Sequence, residues 1–157
     1  MTVVRRPALL DNCTMREVKR SALVAQSPAR LFAIISDVGR YPEFVPGCTH
    51  ARIESRSEHE VIATVGVRRG ALRAEFTTRN ELEPDRRVTM NLVRGPFRML
   101  RGEWLLTPIA DEGCRVDFTM RFAFSNPVSA VIFEPLFAQS LGSLVDAFVV
   151  RARSQVP

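Results

Sequence analysis

The feature that most constrains this chain is a change of hydrophobic period near residue 125. From residue 48 to 124 apolar side chains recur at every second position, and after Asn126-Pro127 they recur in steps of three and four. The alternating runs are Val61, Ala63, Val65, Val67; Leu72, Ala74, Phe76; Val88, Met90, Leu92; Leu100, Gly102, Trp104, Leu106; and Cys114 through Phe124. Turn signals separate them at Arg69-Gly70, Glu83-Pro84-Asp85, Gly95-Pro96 and Asp111-Glu112-Gly113. Strands joined in sequence by short turns predict an antiparallel meander with one apolar face. The second pattern, Ala130, Phe133, Phe137, Leu141, Leu144, Phe148, Ala152, predicts a helix to about Arg153, roughly 39 Å long and able to cross a whole sheet. Pro135 is predicted to kink that helix or split it at Glu134.

Ahead of the meander, residues 16–25 alternate as a first strand, and Ser27-Pro28 is a cap-plus-proline helix start. Leu31, Phe32, Ile34 and Ile35 give that helix an apolar face, and Asp37-Val38-Gly39 ends it. Tyr41-Pro-Glu-Phe-Val-Pro-Gly47 reads as one short helical turn and a loop. Residues 1–14 read as a poorly ordered extension and 15–154 as a single domain, in keeping with 157 residues. The expected fold is α+β: a seven-stranded curved antiparallel sheet wrapped around a long C-terminal helix, in the order strand, helix, short helix, six strands, helix.

Composition excludes several classes. With 46% apolar and 25% charged residues the chain is neither disordered nor fibrous. No run of about 18 apolar residues occurs, so a membrane-crossing helix is not expected. Cys13, Cys48 and Cys114 form no CxxC pair and stand in no ligand spacing to His50 or His59, which points away from zinc and towards a reducing cytoplasm. The N-terminal segment reads as lacking a secretory apolar core of sufficient length. Asp37, Tyr41, Glu43, His50 and Glu103 are the candidates for acid–base work, and most fall in loops or on the wet parity of strands. No Ser/His/Asp set or glycine-rich phosphate loop is present, so the expectation is a protein that is not an enzyme and has no metal and no obligatory cofactor.

All but one of the 22 basic residues are arginine, against 17 acidic residues. Their scatter among acids suits an ordinary mixed surface, while their clustering at turns suits contact with phosphates of RNA or of an anionic membrane surface. Arg68 and Arg69 flank one turn, Arg86 and Arg87 another, and Arg94 and Arg98 a third, forming a candidate basic rim. On the inward parity the side chains are large and adaptable, which fits a packed core and a ligand pocket equally. The polar residues of that parity are Thr78, Asn80, Arg94 and Arg98. The aromatic turn Tyr41–Phe44 is either a gate or a staple closing the end of the sheet.

Several segments resemble one family: Asp37 to Cys48, Phe76-Thr-Thr-Arg-Asn-Glu-Leu82, Gly95-Pro-Phe97, Trp104, Cys114-Arg-Val-Asp-Phe118 and Val145 to Ala152. Their order and spacing resemble the coenzyme Q-binding protein and ribosome-association toxin group of the START-like, or polyketide cyclase-like, helix-grip superfamily. The resemblance implies a lipophilic tunnel between sheet and long helix. It implies a carrier or chaperone of ubiquinone or a prenylated precursor that supports respiration, cytoplasmic or peripheral to the inner membrane. The alternative it implies is a toxin of a toxin–antitoxin pair that binds the large ribosomal subunit and blocks subunit association. A polyketide aromatase or cyclase is the third. The ligand-lining candidates are Tyr41, Phe44, Val45, Phe76, Thr78, Asn80, Met90, Leu92, Leu100, Trp104, Phe118, Met120, Phe122, Phe133, Phe137, Leu141 and Val145.

Overall fold

Seven strands in the order β1-β7-β6-β5-β4-β3-β2 make one antiparallel sheet, with the helices packed on a single face. This computed structural model describes residues 15–110 and 113–154, so the proposed extension 1–14 and the tip of the last turn lie outside it. The strands are β1 (Arg16–Val24), β2 (Cys48–Arg56), β3 (Glu60–Arg69), β4 (Leu72–Glu83), β5 (Arg87–Arg94), β6 (Phe97–Ile109) and β7 (Gly113–Phe124). Helix α1 is Pro28–Ser36, followed by a short 3-10 helix, Val38–Glu43. The C-terminal helical region is α2 (Pro127–Gly142) and α3 (Leu144–Ser154). This is the expected helix-grip arrangement, with its final helix in two pieces.

Local chemistry explains the helix starts. Ser27 Oγ accepts from the Arg30 amide at 3.2 Å, and Asn126 Oδ1 accepts from the Val128 amide at 2.8 Å, each ahead of a proline in the first turn. The expected split at Glu134 does not occur. Pro135 stands on the exposed side of α2, where the carbonyl it leaves unpaired can turn to water. The interruption falls about two turns later, at Ser143, whose amide donates to Gln139 O at 3.2 Å and whose hydroxyl donates to Ser140 O at 3.1 Å.

A second expectation is also corrected. Taken together, Pro127–Ser154 is long and apolar enough to cross a membrane by length and composition, with mean hydropathy 1.5 over its best 18 residues. A search for an uninterrupted apolar run missed it because Ser, Gln, Gly and Pro residues and a few charged ones, Glu134 and Asp146 among them, punctuate the segment. One side of this region is committed to the sheet, where Phe137, Leu141, Val145 and Phe148 are buried.

Sheet register sorts the inward side chains into rows. Trp104 pairs with Phe118, Gly102 with Met120, and Leu100 with Phe122, and Met90 extends the middle row as the partner of Gly102. The outer rows are aromatic and closely packed. On one side Trp104 lies 4.7 Å from Phe118 and 4.8 Å from Phe148 between ring centroids, and Phe148 meets Tyr41 and Phe44. On the other side Phe137 stands among Phe76, Phe97, Phe122 and Phe124, at 4.8–6.1 Å. Thus α3 is held by one aromatic cluster and α2 by the other. The row between them, Met90-Gly102-Met120, carries no ring.

Candidate functional site

The gap above that middle row is a cavity of about 100 Å³, lined chiefly by apolar side chains of the 3-10 helix, β2 to β5, β7 and α2. Its floor exists because residue 102 is glycine: a Cβ there would lie 2.7 Å from Met120 Cε and 2.9 Å from Met90 Cε. Two flexible thioethers therefore share the space that a side chain would take. The walls carry few polar groups. Thr78 Oγ1 donates to Asn80 Oδ1 at 2.7 Å on β4, and Asn80 is buried. Because the amide oxygen is engaged by Thr78, the Asn80 NH2 is the group left to donate.

Nine sequence-derived candidates line the cavity: Tyr41, Val45, Phe76, Thr78, Asn80, Met90, Met120, Phe137 and Leu141. Eight do not. Leu100, Trp104, Phe118, Phe122 and Val145 are buried core beneath or beside it, because their rows face the helices directly. Leu92 and Phe133 are half-buried against that core, and Phe133 packs towards Phe124. Phe44 turns to Phe148, 5.1 Å away, and Arg151 lies 4.8 Å over its ring. The aromatic turn is therefore built as a staple on α3. Val38, Pro46, Cys48, Val65, Val67, Ser140 and Leu144 also line the cavity and were not among the candidates. Val65 and Val67 share the parity of Val61 and Ala63 and were readable, and Ser140 lies one turn from Phe137. Pro46 sits in a loop entrance that has no period, and Cys48 at the first residue of β2, ahead of any readable alternation.

That entrance is fixed by backbone contacts. Gly47, at a φ of 83°, receives the Arg68 amide on its carbonyl at 2.7 Å, and a Cβ at Gly47 would lie 2.9 Å from Arg68 O. Tyr41 directs its hydroxyl to the Ile35 carbonyl, and enclosure pushes its pKa above the ordinary value. Cys48 donates its thiol to His50 O at 3.6 Å, and burial pushes the thiol up to about 11 from an ordinary value of 9.0. The thiolate is the reactive form. Alkylation of Cys48 in a Cys13→Ser background is therefore expected to stay slow through mildly alkaline pH and to accelerate only as pH nears 11. In urea the same thiol should react like a free cysteine. Iodoacetamide kinetics read by mass spectrometry check this, and fast alkylation of the folded protein near neutral pH would contradict the enclosure.

The acid–base candidates are dispersed. Asp37 and Glu43 pair with Arg40, and Glu43 also with Arg151 at 2.7 Å. His50 pairs with Glu75 at 2.7 Å among exposed residues, and Glu103 pairs with Arg87 at 3.5 Å. Among the described residues no cluster of three or more metal-ligating side chains occurs.

The basic rim is not one surface. Successive turns of a meander fall at opposite ends of the sheet, so Arg68, Arg69, Arg94 and Arg98 stand at one end and Arg86 and Arg87 at the other. The length of β4 separates them by on the order of 35 Å. Arg94 and Arg98 are exposed and do not face the cavity: a bulge between Thr77 and Thr78 shifts the register with β5 at Arg94, and a second irregularity between Phe97 and Met99 shifts β6 at Arg98. Arg94 instead pairs with Glu54, and that guanidinium, with the Thr64 hydroxyl, holds the Glu54 carboxyl below its usual range. Arg69 Nε donates to Gln139 Oε1 at 3.3 Å, and Arg87 pairs with Glu83 and Glu103.

Comparison with known proteins agrees with this architecture. The family model described as polyketide cyclase / dehydrase and lipid transport matches residues 24–149. The chain is 39% identical over 139 residues to the ribosome association toxin RatA of Vibrio cholerae, covering 88% of this chain and 96% of that one. It is 38% identical over 145 residues to RatA of Escherichia coli K12, with 92% of each chain covered. A START superfamily protein from Mycobacterium smegmatis shares the fold with a TM-score of 0.76 at 18% identity, over 89% of this chain and 99% of that one. The family match over four-fifths of the sequence places it plainly: with a START-like helix-grip fold, the chain belongs to the polyketide cyclase / dehydrase and lipid transport family.

Proposed function

We propose that this protein binds one lipophilic ligand, ubiquinone or a prenylated precursor, under α2 and carries it in the cytoplasm in support of respiration. The observation that supports this reading is the cavity with an apolar, methionine-floored interior and the Asn80 side-chain amide on its wall. In this reading Asn80 donates to a ring carbonyl while the methionines and Phe76, Phe137 and Leu141 cover the ring. At about 100 Å³ the space is smaller than the roughly 150 Å³ cavity that admits benzene. The ring therefore enters only as Met90 and Met120 swing aside, and a long tail leaves past the exposed Pro46. Burial of the covered surface stabilises by about 25 cal/mol per Å². The test is mass spectrometry of organic extracts from protein purified mildly out of its own host. A stoichiometric prenyl quinone is expected, and an empty extract from folded protein overturns the carrier role.

A second reading, association with the large ribosomal subunit as a toxin, is favoured by a separate observation. Relatives at 38–39% identity over almost their whole length bear the name ribosome association toxin. A net charge of +5 and an open outer groove containing Arg68 and Arg73 suit a phosphate-rich partner. Co-sedimentation with purified large subunits, weakening steeply with salt, supports it, and absence of pelleting at low salt sinks it.

A further inference from the structure

A helix that is apolar on one side rests on its protein, and one that is apolar on every side has a second apolar neighbour. Helix α2 is of the second kind. Phe137, Ala138 and Leu141 face the sheet, while Val128, Val131 and Ile132 on the opposite side are 70%, 79% and 53% exposed. At 100° per residue these three and the exposed Pro135 fall on one outward stripe. Only 22% of the most apolar 18-residue window of Pro127–Ser154 is buried.

The surroundings of the stripe are basic. Along one flank, between β1 and α2, runs an open groove of about 250 Å³ lined by Arg16, Glu17, Arg20, Pro135 and Gln139. Arg16 lies 3.6 Å from Glu134, and the Arg20 guanidinium rests against Gly142. Along the other flank Arg69 reaches Gln139, and Gly70 approaches Leu136. At the start of the helix the Ser125 amide donates to Pro96 O at 3.0 Å, which brings the turn bearing Arg94 and Arg98 alongside. The acids on these flanks, Glu17, Glu54 and Glu134, each pair with an arginine, and Arg20 and Arg69 add further positive charge.

From this juxtaposition we infer that the outward stripe of α2 docks on an anionic phospholipid bilayer, lying in the interface and not crossing it. Val128, Val131, Ile132 and Pro135 enter the acyl boundary, and Arg16, Arg20 and Arg69 meet lipid phosphates. An apolar strip edged with arginine is the pattern such surfaces select. The inward side of the same helix is tied to the sheet, which rules out a spanning pose. The inference does not depend on what occupies the cavity.

The test uses the full chain with vesicles of phosphatidylcholine alone and of phosphatidylcholine mixed with phosphatidylglycerol, read by co-sedimentation. Binding to the mixed vesicles, declining with salt, is expected, with little binding to the neutral ones. Both Val131→Asp and Ile132→Asp alter exposed positions; together they should reduce partitioning about tenfold or more. The pair Arg16→Gln and Arg20→Gln should each reduce it about fivefold and flatten the salt dependence. Circular dichroism and extracted-ligand content on the same samples keep folding and carrier function separate from docking. Unchanged vesicle binding in the folded Asp variant, or equal binding to neutral vesicles, overturns the proposal. So does a concentration-dependent dimer or a ribosomal complex lost in that variant without any vesicle binding. An empty cavity with intact vesicle binding refutes the carrier reading alone.

Discussion

Replacing Trp104 by alanine is expected to lower the unfolding free energy by about 3–5 kcal/mol, the cost of deleting a large buried aromatic side chain. The ring is 1% exposed and wedged between Phe118 on the neighbouring strand and Phe148 of α3. Its loss removes apolar burial and leaves a void that Phe118, fixed by its own strand, cannot fill. Since domains of this size are stable by about 5–15 kcal/mol, a large part of the margin would go. Urea unfolding followed by circular dichroism gives the value directly. A loss below about 1 kcal/mol would mean that the two rings close over the gap, and that this cluster does not anchor α3.

Gly102→Val should do the reverse, with little change in stability and a large loss of ligand. The added Cβ first meets the flexible thioethers of Met120 and Met90, which are expected to move into the cavity. Overpacking costs about 1–3 kcal/mol, partly offset because valine suits a strand better than glycine. Ligand recovered in organic extracts is expected to fall about tenfold or more, with the unfolding midpoint near that of the parent protein. Undiminished ligand in the folded variant would place the binding site elsewhere.

Much of this arrangement was readable from residue order. The period of two from Val61 to Phe124 assigned nearly every inward side chain, and Ser27-Pro28 and Asn126-Pro127 marked two helix starts, because those signals are local. Non-local features were not readable. Whether Phe118 and Met120 face a cavity or a core depends on the strand across from them: Phe118 meets Trp104 and is packed, while Met120 meets Gly102 and is not. The bulge at Thr77/Thr78 moved Arg94 off the inward face, and nothing in Val93-Arg94-Gly95 announces it. Arg86 and Arg87 looked like companions of Arg68 and Arg69, yet an antiparallel meander sends them to the other end. Pro135 looked like a break, but its exposure let the helix continue to Gly142. The outward apolar stripe of α2 escaped notice because a helix pattern counts the residues that face in.

The placement of Met90, Gly102 and Met120 in one row, between two rows of rings, also bears on how such a protein can change over generations. Foldability resides in the aromatic rows, and the size and shape of the cavity are set by the row between. Substitutions that resize the middle row leave both anchors in place, so each intermediate along a mutational path remains a folded molecule. One scaffold can thus widen, narrow or fill its cavity without passing through a sequence that selection would remove for instability.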